Sequence, residues 1–166
     1  GKLDLKDIIQ SVVQEGCIEE TLAAIEAHFR EHVAQDSGVK STLKEIADDE
    51  TRHAKLAWDT IYWITKKYPE YKSFVETTLN DQLEKPKPIS FEKIPTAASD
   101  LCTDYGKDDY FKSFGILVSD DRDKVRRFGI EEIIKPTLES GTDHFGSIFD
   151  QIMNLDMSLI QTLFHD

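Results

Sequence analysis

Apolar residues recur at helical spacing along most of this chain, and the recurrences divide it into segments. Over residues 4–33, Leu5, Ile8, Ile9, Val12, Val13, Cys17, Ala24, Ile25, His28 and Phe29 share a face and predict one long helix. Gly16 in its middle weakens that helix by ~1 kcal/mol relative to alanine, but permits close approach of a second helix. The run Ala34-Gln35-Asp36-Ser37-Gly38 predicts a turn, with Asp36 or Ser37 capping the next helix. That second helix is expected over 39–67, with the stripe Leu43, Ile46, Ala47, Glu50, His53, Ala54, Ala57, Ile61 and Ile64, ended by Pro69. A shorter one is expected over 70–83, carrying Phe74, Val75 and Leu79.

Pro86, Pro88 and Pro95 forbid a helix from Glu84 to Pro95 and predict an extended connector, with Ile89, Phe91 and Ile94 free to lie across the hairpin. Residues 96–118 read as short helices broken at Gly106 and Gly115. Residues 119–135 read as a helix with Val125, Phe128, Ile133 and Ile134 on one face, stopped by Pro136. A final helix over 142–164 carries Phe145, Ile148, Phe149, Ile152, Leu155, Leu159, Ile160 and Leu163. Strand alternation is weak throughout. The expected fold is all-α: an antiparallel helical hairpin completed to a helical bundle, with additional C-terminal helices. Residues 1–83 form the hairpin and short helix, 84–96 the Pro-rich connector, and 97–166 C-terminal helices that pack on or extend the bundle.

Charge narrows the partners. The 166 residues carry a net charge of −12, and no basic stripe interrupts the acidity. Nucleic acid and anionic membrane surfaces are therefore poor partners, and metal cations or basic groups better ones. No run of 18 apolar residues offers a membrane span. Cys17 and Cys102 are too few for a disulfide framework and lack CxxC spacing, which fits a reducing compartment. The chain opens on Gly1, which leaves room for a longer precursor or an address segment ahead of it.

Three polar residues fall where the pattern asks for apolar ones. Glu20 lies on the first helix's stripe between Cys17 and Ala24; Glu50 and His53 lie on the second, as Glu50-Thr51-Arg52-His53. The midpoint of positions 20 and 50 falls in the predicted turn, so both arms place these groups roughly 20–25 Å from it. A carboxylate on an apolar stripe is costly unless paired or coordinated. Glu20 and Glu50 as metal ligands, with His53 as a nitrogen ligand, satisfy that cost; oxygen and imidazole donors suit iron, with manganese or zinc as alternatives. A bare ExxH is a weak motif, and the same residues are also read as a histidine hydrogen-bonded to a carboxylate. Glu19 and Asp49, rotated about 100° away, are expected on the surface.

Other constellations are weaker. His28 and His32 share an i, i+4 face suited to zinc but lack a third ligand. Asp143-His144 and His165-Asp166 read as surface or capping groups. Ser119-Asp120-Asp121-Arg122-Asp123 lacks the glycine and terminal glutamate of a calcium loop and reads as a helix N-cap. No GxGxxG, Walker or G-x-S-x-G pattern is present.

The segment Glu15-Gly16-Cys17-Ile18-Glu19-Glu20-Thr21-Leu22-Ala23-Ala24, followed by Ile46-Ala47-Asp48-Asp49-Glu50-Thr51-Arg52-His53-Ala54-Lys55-Leu56-Ala57-Trp58, resembles a branch of the ferritin-like superfamily found among bacterial proteins. The likeness covers about residues 12–66, with a looser continuation from Phe114 to Pro136. It implies a ferritin-like hairpin with Glu20, Glu50 and His53 at metal-ligand positions. It also implies two irons that activate oxygen or peroxide, or that oxidise and store iron. A complete site of that kind needs two half-bundles, each with a Glu and an ExxH. This chain has one ExxH; Glu132 offers a further carboxylate, and His144 is in no ExxH. Three arrangements remain open: a homodimer sharing the site, a second half-bundle chain or removed piece of the precursor, or a vestigial site. The last is the alternative of a non-catalytic structural or assembly subunit, with Trp58, Tyr62, Trp63, Phe145 and Phe149 as interface or core aromatics.

Overall fold

Core positions in the first helix repeat every fourth residue: Leu5, Ile9, Val13, Cys17, Thr21, Ile25, Phe29 and Val33. The six between Ile9 and Phe29 are buried, and Leu5 and Val33 pack partly buried against them. On an ideal α-helix four residues overshoot a full turn by about 40°, so this repeat would spiral off the core face. The computed structural model, which describes residues 4–84 and 112–164, resolves the mismatch within the helix itself. Helix α1 runs as α over Leu5–Ser11, as π over Val12–Glu20 and as α again over Thr21–Val33. A π turn closes i→i+5 and holds more residues, so a four-residue step there undershoots a turn and cancels the drift.

The same logic recurs later. Helix α4 comprises Ser119–Gly129, a π turn at Ile130–Ile134 and Lys135–Glu139. Buried Asp121, Val125, Gly129, Ile133 and Thr137 again recur every fourth residue, with Ile134 buried beside them. Helix α2, Ser37–Lys67, buries Leu43, Ala47, Thr51, Ala54, Trp58, Ile61 and Thr65 at mixed spacings of four and three, and is α throughout. Asp36 caps α2, its carboxylate accepting from the Val39 N–H at 2.9 Å. Tyr68 closes α2, and Pro69–Tyr71 forms a 3₁₀ turn leading into α3, Lys72–Glu84.

Helices α1 and α2 form an antiparallel hairpin. A Cβ built on Gly16 would lie 2.5 Å from the Ala57 Cβ, so only glycine permits this crossing. The Trp58 indole N–H donates to the Thr21 hydroxyl at 2.9 Å across the same interface. Helix α3 covers the start of α1 with Val75 and Leu79. Helix α4 lies along the second half of α1, where a Cβ on Gly129 would meet Ile25 and Leu22 at 2.9 Å. Phe145 packs edge-on against Trp58 at 5.0 Å, closing the far side of the core. Among the described residues every regular element is helical.

Two expected boundaries move. Pro136 does not stop α4: the π turn just before it opens the helix, the Lys135 N–H reaches back to the Ile130 carbonyl, and the chain continues to Glu139. The expected long helix over 142–164 is broken. It becomes a 3₁₀ stretch Thr142–Ser147, α5 at Ile148–Met153, α6 at Met157–Gln161 and a 3₁₀ turn Thr162–Phe164. Asp156 starts α6 afresh, its carboxylate accepting from both the N–H and the hydroxyl of Ser158. Phe145, Ile148, Ile152 and Ile160 are buried, but Leu159 and Leu163 are exposed. The expected connector beyond Glu84, with Ile89, Phe91 and Ile94, the break at Gly106, and Cys102 and His165 lie outside the described residues.

Candidate metal centre

Glu20 is the last residue of the π segment, one turn beyond Gly16; His53 lies one turn before Ala57. The close Gly16–Ala57 crossing therefore draws the α1 and α2 backbones together beside these side chains. Glu50 and His53, at i and i+3 on α2, share a face. The result is one cluster in which a ligand atom from each of Glu20, Glu50 and His53 lies within 4.8 Å of the others. His53 Nδ1 is 3.4 Å from a Glu50 carboxylate oxygen and 3.8 Å from one of Glu20.

Partial burial and the adjacent Glu50 carboxylate push Glu20 from its ordinary 4.5 up to about 7, with Glu19 adding to the rise and His53 opposing it. The proton is thus held on Glu20 more tightly than on an ordinary glutamate when no cation is present. Two crowded carboxylates and an imidazole form a donor set that a cation would relieve.

The cluster does not lie on the inner face that the sequence pattern suggests. The His53 side chain is 59% exposed, and those of Glu20 and Glu50 are about one-third exposed at 34% and 29%. The reason is packing: Trp58, Thr51 and Ala54 face the core that α5 and the 142–147 turn close, leaving the Glu50–His53 edge of α2 to solvent.

A support sits beside Glu20 that sequence spacing alone does not single out. Arg126 of α4 pairs with Glu19 at 2.5 Å, and Arg122 donates to Glu26 at 2.8 Å. These pairs tie α4 to α1 where the π segment passes into the following α segment. Their trace in the sequence is the seven-residue spacing of Glu19 and Glu26 against the four-residue spacing of Arg122 and Arg126. Glu19 is thus an inter-helix partner, while Asp49 is an exposed residue paired with Arg52.

The other sequence candidates separate. His28 Nε2 is 3.0 Å from the Thr51 hydroxyl, which itself donates to the Ala47 carbonyl at 2.6 Å. Thr51 has one hydrogen to give, so His28 must donate through Nε2. Burial lowers the His28 pKa and favours this neutral form. His32 is bound instead to Gln161 at 2.9 Å, so the two histidines do not converge. Glu132 and His144 are exposed and lie outside the cluster. The 119–123 run forms the first turn of α4, whose N-cap is Val118; Asp121 there pairs with Lys112 at 2.9 Å. Among the described residues, Glu20, Glu50 and His53 form the one such group of three or more. No helix among these residues is long and apolar enough to cross a membrane.

Comparison of the chain with protein-family models, with curated proteins and with solved structures finds no match.

Proposed function

We propose that this chain is a ferritin-like metal-binding protein in which Glu20, Glu50 and His53 supply half of a carboxylate–histidine site, the other half coming from a second half-bundle. One observation carries the reading: donors from two helices, separated by about thirty residues of sequence, converge to within 4.8 Å. The raised Glu20 pKa supports it, because the same crowding that holds a proton there would favour a cation. The donors fit iron, and also manganese or zinc. Bound as a pair, iron would supply the redox chemistry of an oxygen- or peroxide-activating oxidase or of an iron-handling protein. The residues' own parts are separate: Glu20 and Glu50 neutralise cationic charge, one of them suited to bridging, and His53 adds a neutral nitrogen donor. The partial exposure of all three leaves coordination positions open on the solvent side.

The test is metal content by plasma mass spectrometry on protein purified without chelator or affinity metal, repeated on Glu50→Ala. About one iron or manganese per chain in the wild type, lost in the variant, supports the reading. Absence of metal after reconstitution, with the variant indistinguishable, removes it. The competing reading, a non-catalytic assembly subunit with a vestigial site, is favoured by the exposure of Leu56 and Trp63 on α2, 67% and 53%.

A further inference from the structure

The outer edge of α2 carries a pattern with its own symmetry. Val39, Ile46, Asp49, His53, Leu56 and Trp63 are spaced seven, three, four, three and seven residues apart. That is the spacing of a coiled-coil seam. It also reads the same in both directions, with its centre at position 51, as an isologous antiparallel pairing of two identical helices requires. Ile46, Leu56 and Trp63 on this edge are 40%, 67% and 53% exposed, with Trp63 also meeting the Tyr68 ring edge-on and the Lys67 ammonium at 4.7 Å.

Two further observations fix the same centre. Before position 51 the acids Glu45, Asp48, Asp49 and Glu50 outnumber Lys40 and Lys44; after it Arg52, Lys55, Lys66 and Lys67 outnumber Asp59. Antiparallel pairing about position 51 sets the acidic half of each helix against the basic half of the other, and parallel pairing would not. Shape agrees: a groove of about 440 Å³ lined by Val39, Leu43, Ile46 and Phe114 opens at the N-terminal end of α2, the mirror position of Trp63 at the other end.

We infer that the partner half-bundle is a second copy of this chain, docked antiparallel along α2 about a two-fold axis at the level of residue 51. Each Trp63 enters the partner's groove at Val39 and Ile46, each Leu56 covers the partner's Ile46, and Asp49 faces the partner's His53. Glu50 lies one residue from the axis, so the two Glu20–Glu50–His53 clusters meet there. The carboxylates then crowd, and a divalent cation between them strengthens the dimer. This last step rests on the proposed metal site; the seam itself does not.

The test is sedimentation equilibrium of the full chain, after chelator treatment and again with manganese(II) chloride. The variants are Leu56→Glu on the seam and Leu159→Glu, also exposed but off it. Both positions are solvent-facing, and circular dichroism confirms that the variants keep their helices. The expected result is a wild-type mass near twice 19.0 kDa, tightened by manganese. Leu56→Glu should weaken the dimer by roughly a hundredfold or more, because the substitution enters the interface twice, and Leu159→Glu should leave it unchanged. A monomeric wild type with and without manganese overturns the pairing, as does a Leu56→Glu dimer as tight as wild type. A monomer that takes up manganese leaves the metal reading standing alone. A Leu56-dependent dimer that takes up none keeps the pairing and removes the metal reading.

Discussion

The crossing of α1 and α2 at Gly16 gives a quantitative handle on both stability and the site. An added Cβ at Gly16 would lie 2.5 Å from the Ala57 Cβ, whereas ordinary contact begins at 3.4 Å, so Gly16→Ala must part the helices locally by about 1 Å. Helix propensity works the other way, favouring alanine by ~0.5–1 kcal/mol. Overpacking a close contact costs ~1–3 kcal/mol. The backbone at this crossing has little room to give, because Trp58, next to Ala57, is hydrogen-bonded to Thr21, just over a turn beyond Gly16. The expected net effect of Gly16→Ala is a loss of ~1–2 kcal/mol, read as a lower urea midpoint at unchanged slope. Ala57→Gly removes the opposing Cβ, so the double variant should recover most of the loss, with a coupling of ~1–3 kcal/mol in the double-mutant cycle. The same parting moves Glu20 away from Glu50, so the Glu20 pKa should fall from about 7 toward its ordinary 4.5. A Gly16→Ala protein that is stabilised, with no coupling to Ala57→Gly, would refute the close-crossing argument.

The site and its surroundings carry further expectations. Because the Glu20 pKa is raised on folding, its contribution to stability is fully present below pH 4.5 and is lost as pH rises through about 7. Chemical unfolding of metal-free protein across that window should show a decline that Glu20→Gln abolishes; solvent screening at a one-third exposed side chain keeps the decline small. Manganese titrated by calorimetry near pH 6 in buffers of different ionisation enthalpy should release fewer protons from Glu20→Gln than from the wild type, and equal release from the two would contradict the raised Glu20 pKa. Thr51→Val should cost about 1 kcal/mol, since it strips the half-buried His28 N–H of its acceptor, and nitrogen NMR of the wild type should show His28 with its proton on Nε2. Arg126→Ala should remove the Arg126–Glu19 ion pair and weaken metal uptake without touching the cluster; equal affinity in the two proteins would show that this pair plays no part in placing Glu20.

The hairpin was legible because its signals are local. Helical periodicity, the Asp36 cap and the equal distance of positions 20 and 50 from one turn suffice to bring Glu20 toward Glu50 and His53, and the structure places their ligand atoms within 4.8 Å. The four-residue core repeat of α1 and α4 was also present in the chain, but it reads as plain helix unless the 40° drift is followed over many turns. The C-terminal stripe misled for a related reason. Its periodicity is genuine over Phe145, Ile148 and Ile152, yet Asp156 satisfies its own hydrogen bonds with Ser158 and restarts the helix, turning Leu159 outward.

The all-α class, the hairpin and the identity of the clustered donors are written in the order of residues alone, because each depends on positions near in sequence or symmetric about a turn. Which side of the hairpin is covered is a matter of long-range packing. Helices from the far end of the chain bury the Trp58 and Thr51 side, and that choice leaves Glu50, His53, Leu56 and Trp63 facing outward. A helix of this amphipathic width can be covered on either flank, and no local pattern distinguishes them. The arginine clamp on Glu19 and Glu26, contributed about a hundred residues downstream, belongs to the same long-range choice.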